Sequence, residues 1–274
     1  MKITFYGTRG SIPVPEKGSL HVGGNTSSTL IEFESGEIAI LDAGTGIRKI
    51  GHDLMLRSKP LPEEILIGLS HTHWDHIQGF PFFSPAYNPK QKLTVAICRQ
   101  DYDTGDLESV FRTQMQSDFF PLPLEKMGAE ISFWQPHITR YRTTSKIKIE
   151  AIKHNHPGNA YTYRIEEKDS VLVYCTDIEH GDSIDERIVE LSKDADLLIH
   201  DAQYTPDELE NKKGWGHSSW EQAVEVAMRA NVKKLALFHH DPDHDDKFLI
   251  NLEWGCQNLF PSSFLAREGM EILI

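Results

Sequence analysis

Four side chains of the types that bind metal ions lie within six residues of one another. They are His71, His73, Asp75 and His76, in the sequence HTHWDH. Imidazole and carboxylate groups are good ligands for zinc and similar first-row ions. On a loop that leaves a strand, His71 and His73 can bind one ion, while Asp75 and His76 turn towards a second. Because two ions about 3.5–4 Å apart can hold an attacking hydroxide and an oxyanion together, the cluster predicts a two-metal hydrolase.

Three later segments supply the further ligands that two coordination spheres require. The first contains His154 and His156, the second contains Asp177, and the third contains His239 and His240. Each lies at the end of a predicted strand, and the ends of neighbouring parallel strands converge at one edge of a sheet. We therefore expect these segments to meet the cluster. The residues alone leave open which histidine of each pair is the ligand.

The composition limits the classes of partner and the cellular compartment. The chain has 274 residues, 39% hydrophobic and 25% charged, which suits a globular protein with a real core. A formal net charge of −13 argues against long nucleic acid as the partner, because phosphate binding needs a basic stripe. Bound cations would offset part of that charge. The three cysteines show no CxxC spacing, so we expect neither a disulfide framework nor a thiolate zinc site.

The hydropathy pattern predicts a cytoplasmic protein without a membrane segment. No run approaches the ~18 apolar residues that span a bilayer. The first six residues have the pattern of a strand rather than of a secretory signal.

Strands alternate with fewer helices along the chain, and one strand leads into the histidine cluster. Alternation and short apolar runs predict strands at 2–6, 28–33, 37–41, 65–70, 147–153, 160–166, 171–175, 197–200 and 234–238. Helices are predicted at 46–57, near 105–117, at 184–192 and at 218–230. Since we find neither an internal repeat nor a long linker, we expect a single domain over residues 1–274. The Pro- and aromatic-rich region 80–145 has two compatible interpretations: a packed subdomain, and, from its position after the metal cluster, a candidate wall or lid of a substrate pocket.

Together these motifs resemble the metallo-β-lactamase fold superfamily, in the branch that contains ribonuclease Z and related phosphodiesterases. The similarity begins at residues 7–11 and 23–27, continues through 41–46 and the HTHWDH cluster, and ends at the segment containing His239. It implies an α/β fold, the αββα sandwich in which two mixed β-sheets are flanked by helices.

The resemblance also implies a set of metal ligands. The first ion would be held by His71, His73 and His156, the second by Asp75, His76 and His239, and Asp177 would bridge them. His156 is preferred to His154 because the sequence His156-Pro157-Gly158 before a strand resembles the family's ligand position. His239 is preferred to His240 because it directly ends an apolar strand. Two divalent ions are expected, with zinc as the first choice and manganese or iron as alternatives.

Two further residues match the ribonuclease Z branch. Residues 197–203 are similar to a segment whose acidic residue, usually glutamate, assists proton transfer. Here that residue would be Asp201, whose side chain is one methylene shorter. Residues 216–219 resemble the family's glycine-histidine-serine-threonine segment, so His217 is expected to contact the phosphate or protonate the leaving group. His217 could instead be a residue at a helix start, with Ser218 or Ser219 as the cap.

The resemblance therefore favours a phosphodiesterase that uses a bridging hydroxide, with Asp75 among the catalytic groups. Asp42 matches an aspartate that lies near a ligand histidine and fixes its tautomer. The chain has no long inserted arm rich in Gly, Pro and Lys, so a cyclic nucleotide or similar small diester is expected rather than tRNA. The alternatives are an RNA 3′-processing nuclease, a thioesterase, a lactonase or a non-catalytic nucleotide-binding sensor. The sequence leaves the oligomeric state open, and a homodimer is compatible with the resemblance.

Overall fold

Two seven-stranded sheets form the centre of the molecule. The computed structural model describes residues 1–98, 106–136, 140–142 and 147–274. The first sheet has the order β14-β1-β2-β3-β4-β5-β6, and the second has the order β13-β12-β11-β10-β9-β8-β7. The strands of the first sheet are β1 (Lys2–Gly7), β2 (Ser28–Glu32), β3 (Ile38–Leu41), β4 (Glu64–Gly68), β5 (Lys92–Ala96), β6 (Glu130–Trp134) and β14 (Glu271–Leu273). Those of the second are β7 (Arg140–Arg142), β8 (Lys148–His154), β9 (Ala160–Glu167), β10 (Ser170–Cys175), β11 (Leu197–Asp201), β12 (Leu235–Phe238) and β13 (Ser263–Leu265).

Seven α-helices in the described part of the chain surround the sheets. They are α1 (Ile47–Leu56), α2 (Trp74–Ile77), α3 (Leu107–Gln114), α4 (Glu186–Leu191), α5 (Pro206–Asn211), α6 (Trp220–Arg229) and α7 (Asp246–Leu259). Within the described ranges, no helix has both the length and the apolar character that crossing a bilayer requires.

Alternation along the strands produces the sandwich. On β10, Leu172 and Tyr174 belong to the core between the two sheets, whereas Val173 and Cys175 belong to a second core. Successive side chains of a strand point to opposite faces, so the second sheet has an apolar contact on each side. Helices α4, α6 and α7 contribute the apolar residues that cover its outer face. Helix α1 packs on β1 and β2, and α3 packs on β6. The predicted αββα sandwich with two mixed sheets is confirmed.

Parallel pairing brings the chemically important strand ends to one edge. Strands β10, β11 and β12 are parallel neighbours in the second sheet. In the first sheet, β4 is parallel to both β3 and β5. The loops that follow β4, β10, β11 and β12 all contribute to the site described below.

Every predicted strand is present, with its ends shifted by at most two residues. The helix predicted at 218–230 begins at Trp220, because Ser219 caps it in a reciprocal capping box with Gln222. Of the helix predicted near 105–117, residue 105 lies outside the described residues and α3 covers 107–114.

Several elements were not predicted from the sequence. Helices α2, α5 and α7 and strands β5, β6, β7, β13 and β14 lie where no element was assigned, and α2 contains Asp75 and His76, which were expected on a loop. Strands β5 and β6 come from region 80–145 and extend the first sheet. Phe80, Phe83 and Phe111 from the same region are buried in the hydrophobic core that also contains residues of the first sheet and of α1. The described part of this region is therefore integral to the sandwich, while its role as a pocket wall or lid stays a prediction.

Candidate metal centre

Seven side chains from distant parts of the chain converge at one end of the sandwich. His71 and His73 lie on the loop after β4, and Asp75 and His76 lie in α2. The other three residues follow strands of the second sheet: His156 after β8, Asp177 after β10 and His239 after β12. His76 and His239 are 163 residues apart in sequence, yet their Nε2 atoms are 3.3 Å apart.

The first group consists of His71, His73 and His156. His156 Nε2 lies 3.0 Å from His73 Nδ1. Oδ1 of Asp177 faces the group, at 3.8 Å from His71 Nε2 and 3.9 Å from His156 Nε2. The buried Nε2 of His71 has no hydrogen-bond partner among the described residues. His73 is exposed, so the group opens to solvent on that side.

The second group consists of Asp75, His76, Asp177 and His239, all of them buried. Oδ2 of Asp75 lies 3.3 Å from His76 Nε2 and 3.2 Å from His239 Nε2. Oδ2 of Asp177 lies 3.2 Å and 3.4 Å from the same two nitrogens. The two oxygens of Asp177 thus face different groups, which is the arrangement that a bridging carboxylate requires.

The Nδ1 atoms of the imidazole rings form hydrogen bonds that point away from the two groups. These bonds show that the nitrogens and oxygens facing the inside of each group are suited to binding cations. His76 Nδ1 donates to Asp42 Oδ2 at 2.8 Å, and His239 Nδ1 donates to Gln203 Oε1 at 2.9 Å. In the neutral rings, both Nε2 atoms then carry lone pairs that face each other and the oxygens of Asp75 and Asp177. His156 is oriented in the same way, because its Nδ1 donates to a backbone carbonyl at 2.8 Å. Such converging lone pairs need a positive charge between them.

The charges around His76 lead to the same conclusion. Burial opposes protonation, but Asp177, Asp75 and Asp42 raise the pKa of His76 well above its usual value. Burial also disfavours the charged carboxylate of Asp177, yet His239 and His76 hold its pKa well below the usual range. The carboxylates therefore attract one positive charge, and a divalent ion would compete with a proton for the Nε2 atom of His76.

Left-handed backbone conformations orient two of the seven side chains, Asp177 and His239, and also Asp42, which holds His76. Asp177 has φ 56°, His239 has φ 61° and Asp42 has φ 60°. A non-glycine residue in this region costs of order 1–3 kcal/mol and persists only when its surroundings hold it. Here the backbone N–H of Asp177 is held by Asp201 Oδ2 at 3.0 Å.

The structure separates the two ambiguous histidine pairs. His154 is buried, belongs to neither group, and has no hydrogen-bond partner for either ring nitrogen among the described residues. Burial lowers its pKa to about 4. His240 points to the carbonyl of Ala266, at 3.1 Å, and burial followed by the charge of Arg9 lowers its pKa to about 3. The geometry therefore favours His156 and His239 as the ligands.

Asp201 and His217 form a hydrogen-bonded pair beside the two groups. His217 Nδ1 lies 2.9 Å from Asp201 Oδ2 and 4.0 Å from Asp177 Oδ1. The shorter acid therefore reaches the histidine. Asp201 also accepts hydrogen bonds from the backbone N–H groups of Asp177, Gln203 and Ser218. Burial opposes the charged form of His217, but Asp201 together with Asp177 and Asp75 raises its pKa to about 9.

Several supporting groups were not identified from the sequence. Gln203 holds His239, and the backbone N–H of Ser11 donates to Asp75 Oδ2 at 2.8 Å. Tyr174 Oη and Ser70 Oγ both donate to Asp42, the predicted partner of a ligand histidine. The position of Gln203, two residues beyond Asp201 at the end of β11, is the signal that could have identified it.

Comparison with known proteins agrees with this geometry. A family model described as the beta-lactamase superfamily domain matches residues 39–240, which is more than half of the chain. The chain belongs to this superfamily. The matched segment contains all seven converging side chains and the Asp201–His217 pair.

Individual proteins of the same fold are similar to this chain over almost its whole length. Ribonuclease Z of Prochlorococcus marinus (strain MIT 9301) is 25% identical, over 98% of both chains. The crystal structure of the short form of human tRNase Z has a TM-score of 0.70 at 20% identity and covers 100% of this chain and 99% of its own. A diphosphatase of the PhnP family has a TM-score of 0.72 at 18% identity and covers 100% and 97%. These likenesses support a metal-dependent hydrolase of the metallo-β-lactamase fold, in the ribonuclease Z-like branch.

Proposed function

We propose that the protein hydrolyses a small nucleotide-type phosphodiester, such as a cyclic nucleotide, with the help of two divalent ions. The observation that carries the proposal is the Asp201–His217 pair, which lies directly against the carboxylate that faces both histidine groups. The two ions alone would serve the hydrolysis of many kinds of ester. A histidine that is oriented beside them by Asp201 adds a group that can donate a proton to the departing oxygen of a phosphodiester.

The seven converging residues would hold the ions. The first would be bound by His71, His73 and His156, the second by Asp75, His76 and His239, with Asp177 between them. Two divalent ions supply acidified water and neutralise charge on phosphoryl oxygens. Zinc is the first choice for this set of imidazoles and carboxylates, and manganese or iron fits the same ligands.

His217 would protonate the leaving group, and Asp201 would orient it. The hydrogen bond from Nδ1 to Asp201 fixes the tautomer and leaves Nε2 available to a ligand. Burial opposes the charged form of His217, but Asp201 raises its pKa above the usual value, which favours the protonated imidazole that a general acid requires. Asp75 and Asp177 would position the attacking water.

Two features favour a small diester over a long RNA. The alignment with the Prochlorococcus ribonuclease Z runs over 322 positions, more than the 274 residues of this chain, so that relative carries segments that this chain lacks. The net charge of −13 also opposes binding along an RNA backbone. Two exposed aromatic residues lie next to residues of the first group or to a residue that contacts it: Trp74 follows His73, and Trp215 precedes Gly216, whose carbonyl accepts a hydrogen bond from His156. Either could stack on a single base.

A substrate panel tests the proposal. Protein reconstituted separately with Zn²⁺, Mn²⁺ and Fe²⁺ would be assayed against 3′,5′- and 2′,3′-cyclic nucleotides and linear dinucleotides. A chromogenic lactam, a lactone and a thioester would be assayed beside them. We expect turnover of phosphodiesters, with His217→Asn slower than wild type at unchanged metal content. Turnover confined to the lactam, the lactone or the thioester would refute phosphodiester chemistry, and tight nucleotide binding without turnover would identify a sensor.

Processing of RNA 3′ ends is the second candidate. The observation that favours it is the similarity to ribonuclease Z over nearly the full length of both chains. A precursor tRNA with a 3′ trailer would be added to the same panel. Efficient cleavage of that RNA, with little activity on cyclic nucleotides, would replace the small-diester proposal.

A further inference from the structure

The carboxylate of Glu179 holds the loop that leads to His217. This loop, residues 212–216, contains two glycines with positive φ, Gly214 at 86° and Gly216 at 91°. Their N–H groups both point at Glu179. Gly214 N lies 2.8 Å from Oε1 and 3.0 Å from Oε2, and Gly216 N lies 2.8 Å from Oε2. One side chain therefore satisfies the N–H groups of two glycines in the same loop.

The same residue is fixed to the turn that contains His156. Glu179 N donates to the carbonyl of Asn155, and Asn155 Nδ2 donates to the carbonyl of Glu179, both at 3.0 Å. Asn155 immediately precedes His156. The backbone of Glu179 is thus tied to one side of the first histidine group, while its carboxylate is tied to the loop on the other side.

Gly216 connects the loop directly to His156. Its carbonyl accepts the hydrogen bond from His156 Nδ1 at 2.8 Å. A Cβ atom on Gly216 would lie 2.2 Å from the same nitrogen, so the loop backbone packs directly on the imidazole. A shift of the loop would therefore turn the His156 ring and, one residue further, displace His217 from Asp201.

We infer that Glu179 is a positioning residue that orients His156 towards the first metal ion and His217 towards Asp201 through the 212–216 loop. Glu179 belongs to neither group of converging ligands. It acts by fixing the carbonyl that sets the tautomer and angle of His156, as groups behind metal ligands commonly do. The inference depends on metal binding and not on the identity of the substrate.

Cobalt binding to Glu179 variants tests this inference without any substrate. Wild type, Glu179→Ala, Glu179→Gln and Glu210→Ala would be titrated with Co²⁺, following the visible absorption and competition with a chelator. Glu210 is the matched control, since it is a carboxylate close to the loop in sequence and pairs with the exposed Lys213 at 3.4 Å. We expect Glu179→Ala to bind one of two ions about 10–100-fold more weakly and the other normally. Glu210→Ala should match wild type.

The glutamine variant covers the case in which the alanine variant does not fold. An amide oxygen in the position of Oε2 still reaches both N–H groups, but a neutral acceptor forms bonds about half as strong. We therefore expect roughly half of the alanine effect on a logarithmic scale, with a melting temperature near that of wild type. Native affinity for both ions in a folded Glu179→Ala or Glu179→Gln would overturn the inference. Equal loss of both ions would also overturn it, because that result indicates general damage.

Discussion

Replacing Asp42 with Asn should weaken metal binding without changing any ligand. Asp42 is buried and accepts hydrogen bonds from Ser70 N at 2.7 Å, Ser70 Oγ at 2.9 Å, Tyr174 Oη at 2.7 Å and His76 Nδ1 at 2.8 Å. Asparagine tolerates the φ of 60° as well as aspartate does, so the backbone should be preserved. An amide, however, offers one acceptor oxygen, and its NH₂ group must face one of these donors.

The magnitude follows from the bond to His76. A hydrogen bond to a charged group contributes about 1.5–3 kcal/mol, and a buried donor left without an acceptor costs about 1–3 kcal/mol. Since about 1.4 kcal/mol corresponds to a factor of ten, the ion held by His76 should bind roughly 10–100-fold more weakly. The metal-free protein should unfold with a free energy lower by about 1–3 kcal/mol.

Chelator competition, elemental analysis and thermal denaturation with and without metal would measure these effects. The control is Asp196→Asn, because Asp196 also accepts a backbone hydrogen bond, from Val171 N at 2.8 Å, and pairs with the exposed Lys233. Native affinity for both ions in Asp42→Asn would refute the reasoning. It would show that the orientation of His76 does not depend on this carboxylate.

Three other outcomes are expected. His73→Ala or Asp75→Ala should remove activity and metal while leaving the fold mostly intact by circular dichroism, and full turnover by a metal-depleted Asp75→Ala protein would contradict the assignment. His217→Asn should lower kcat about 10²–10⁴-fold with two ions still bound; a parallel loss of metal would instead make His217 a ligand. Burial, with a smaller effect of His200, lowers the pKa of His180 to about 3, so the folded state resists protonating it. Its contribution to stability is then complete above pH 6.5 and is lost as the pH falls towards 3, by about 1.4 kcal/mol per unit. Urea denaturation between pH 7 and pH 4 should therefore show a shallower pH dependence for His180→Gln, and equal slopes would contradict the neutral form.

The strands and the segments that carry the converging side chains could be predicted because the sequence patterns that indicate them extend over only a few residues. The apolar run before the HTHWDH cluster and the polar residues at later strand ends indicate buried strands that open onto one edge. Helix α5 and strands β5 and β6 were missed because their patterns are short or interrupted. Their stability depends on neighbours: α5 begins with a capping box between Thr205 and Glu208, and β6 is completed by pairing with β5.

Tertiary structure separated residues that the sequence treats alike. His154 and His156 are two residues apart, but β8 ends at His154 and only His156 reaches the first group. Likewise, the sequence could not show whether the short side chain of Asp201 reaches His217. Parallel pairing of the strands and the start of α6 set the distance between them at 2.9 Å.

The sequence by itself determined the chemical content of the site: the histidine and aspartate side chains, their spacing in the HTHWDH cluster, and the strand ends that had to meet it. These follow from bonds and periodicities within a few residues. Only the tertiary structure decided how the rings of His76, His239 and His156 are held, because the atoms that accept their Nδ1 hydrogen bonds come from distant parts of the chain. Asp42 meets His76 across 34 residues, Gln203 meets His239 across 36, and Gly216 meets His156 across 60. Such contacts depend on strand order and packing, which no local pattern encodes.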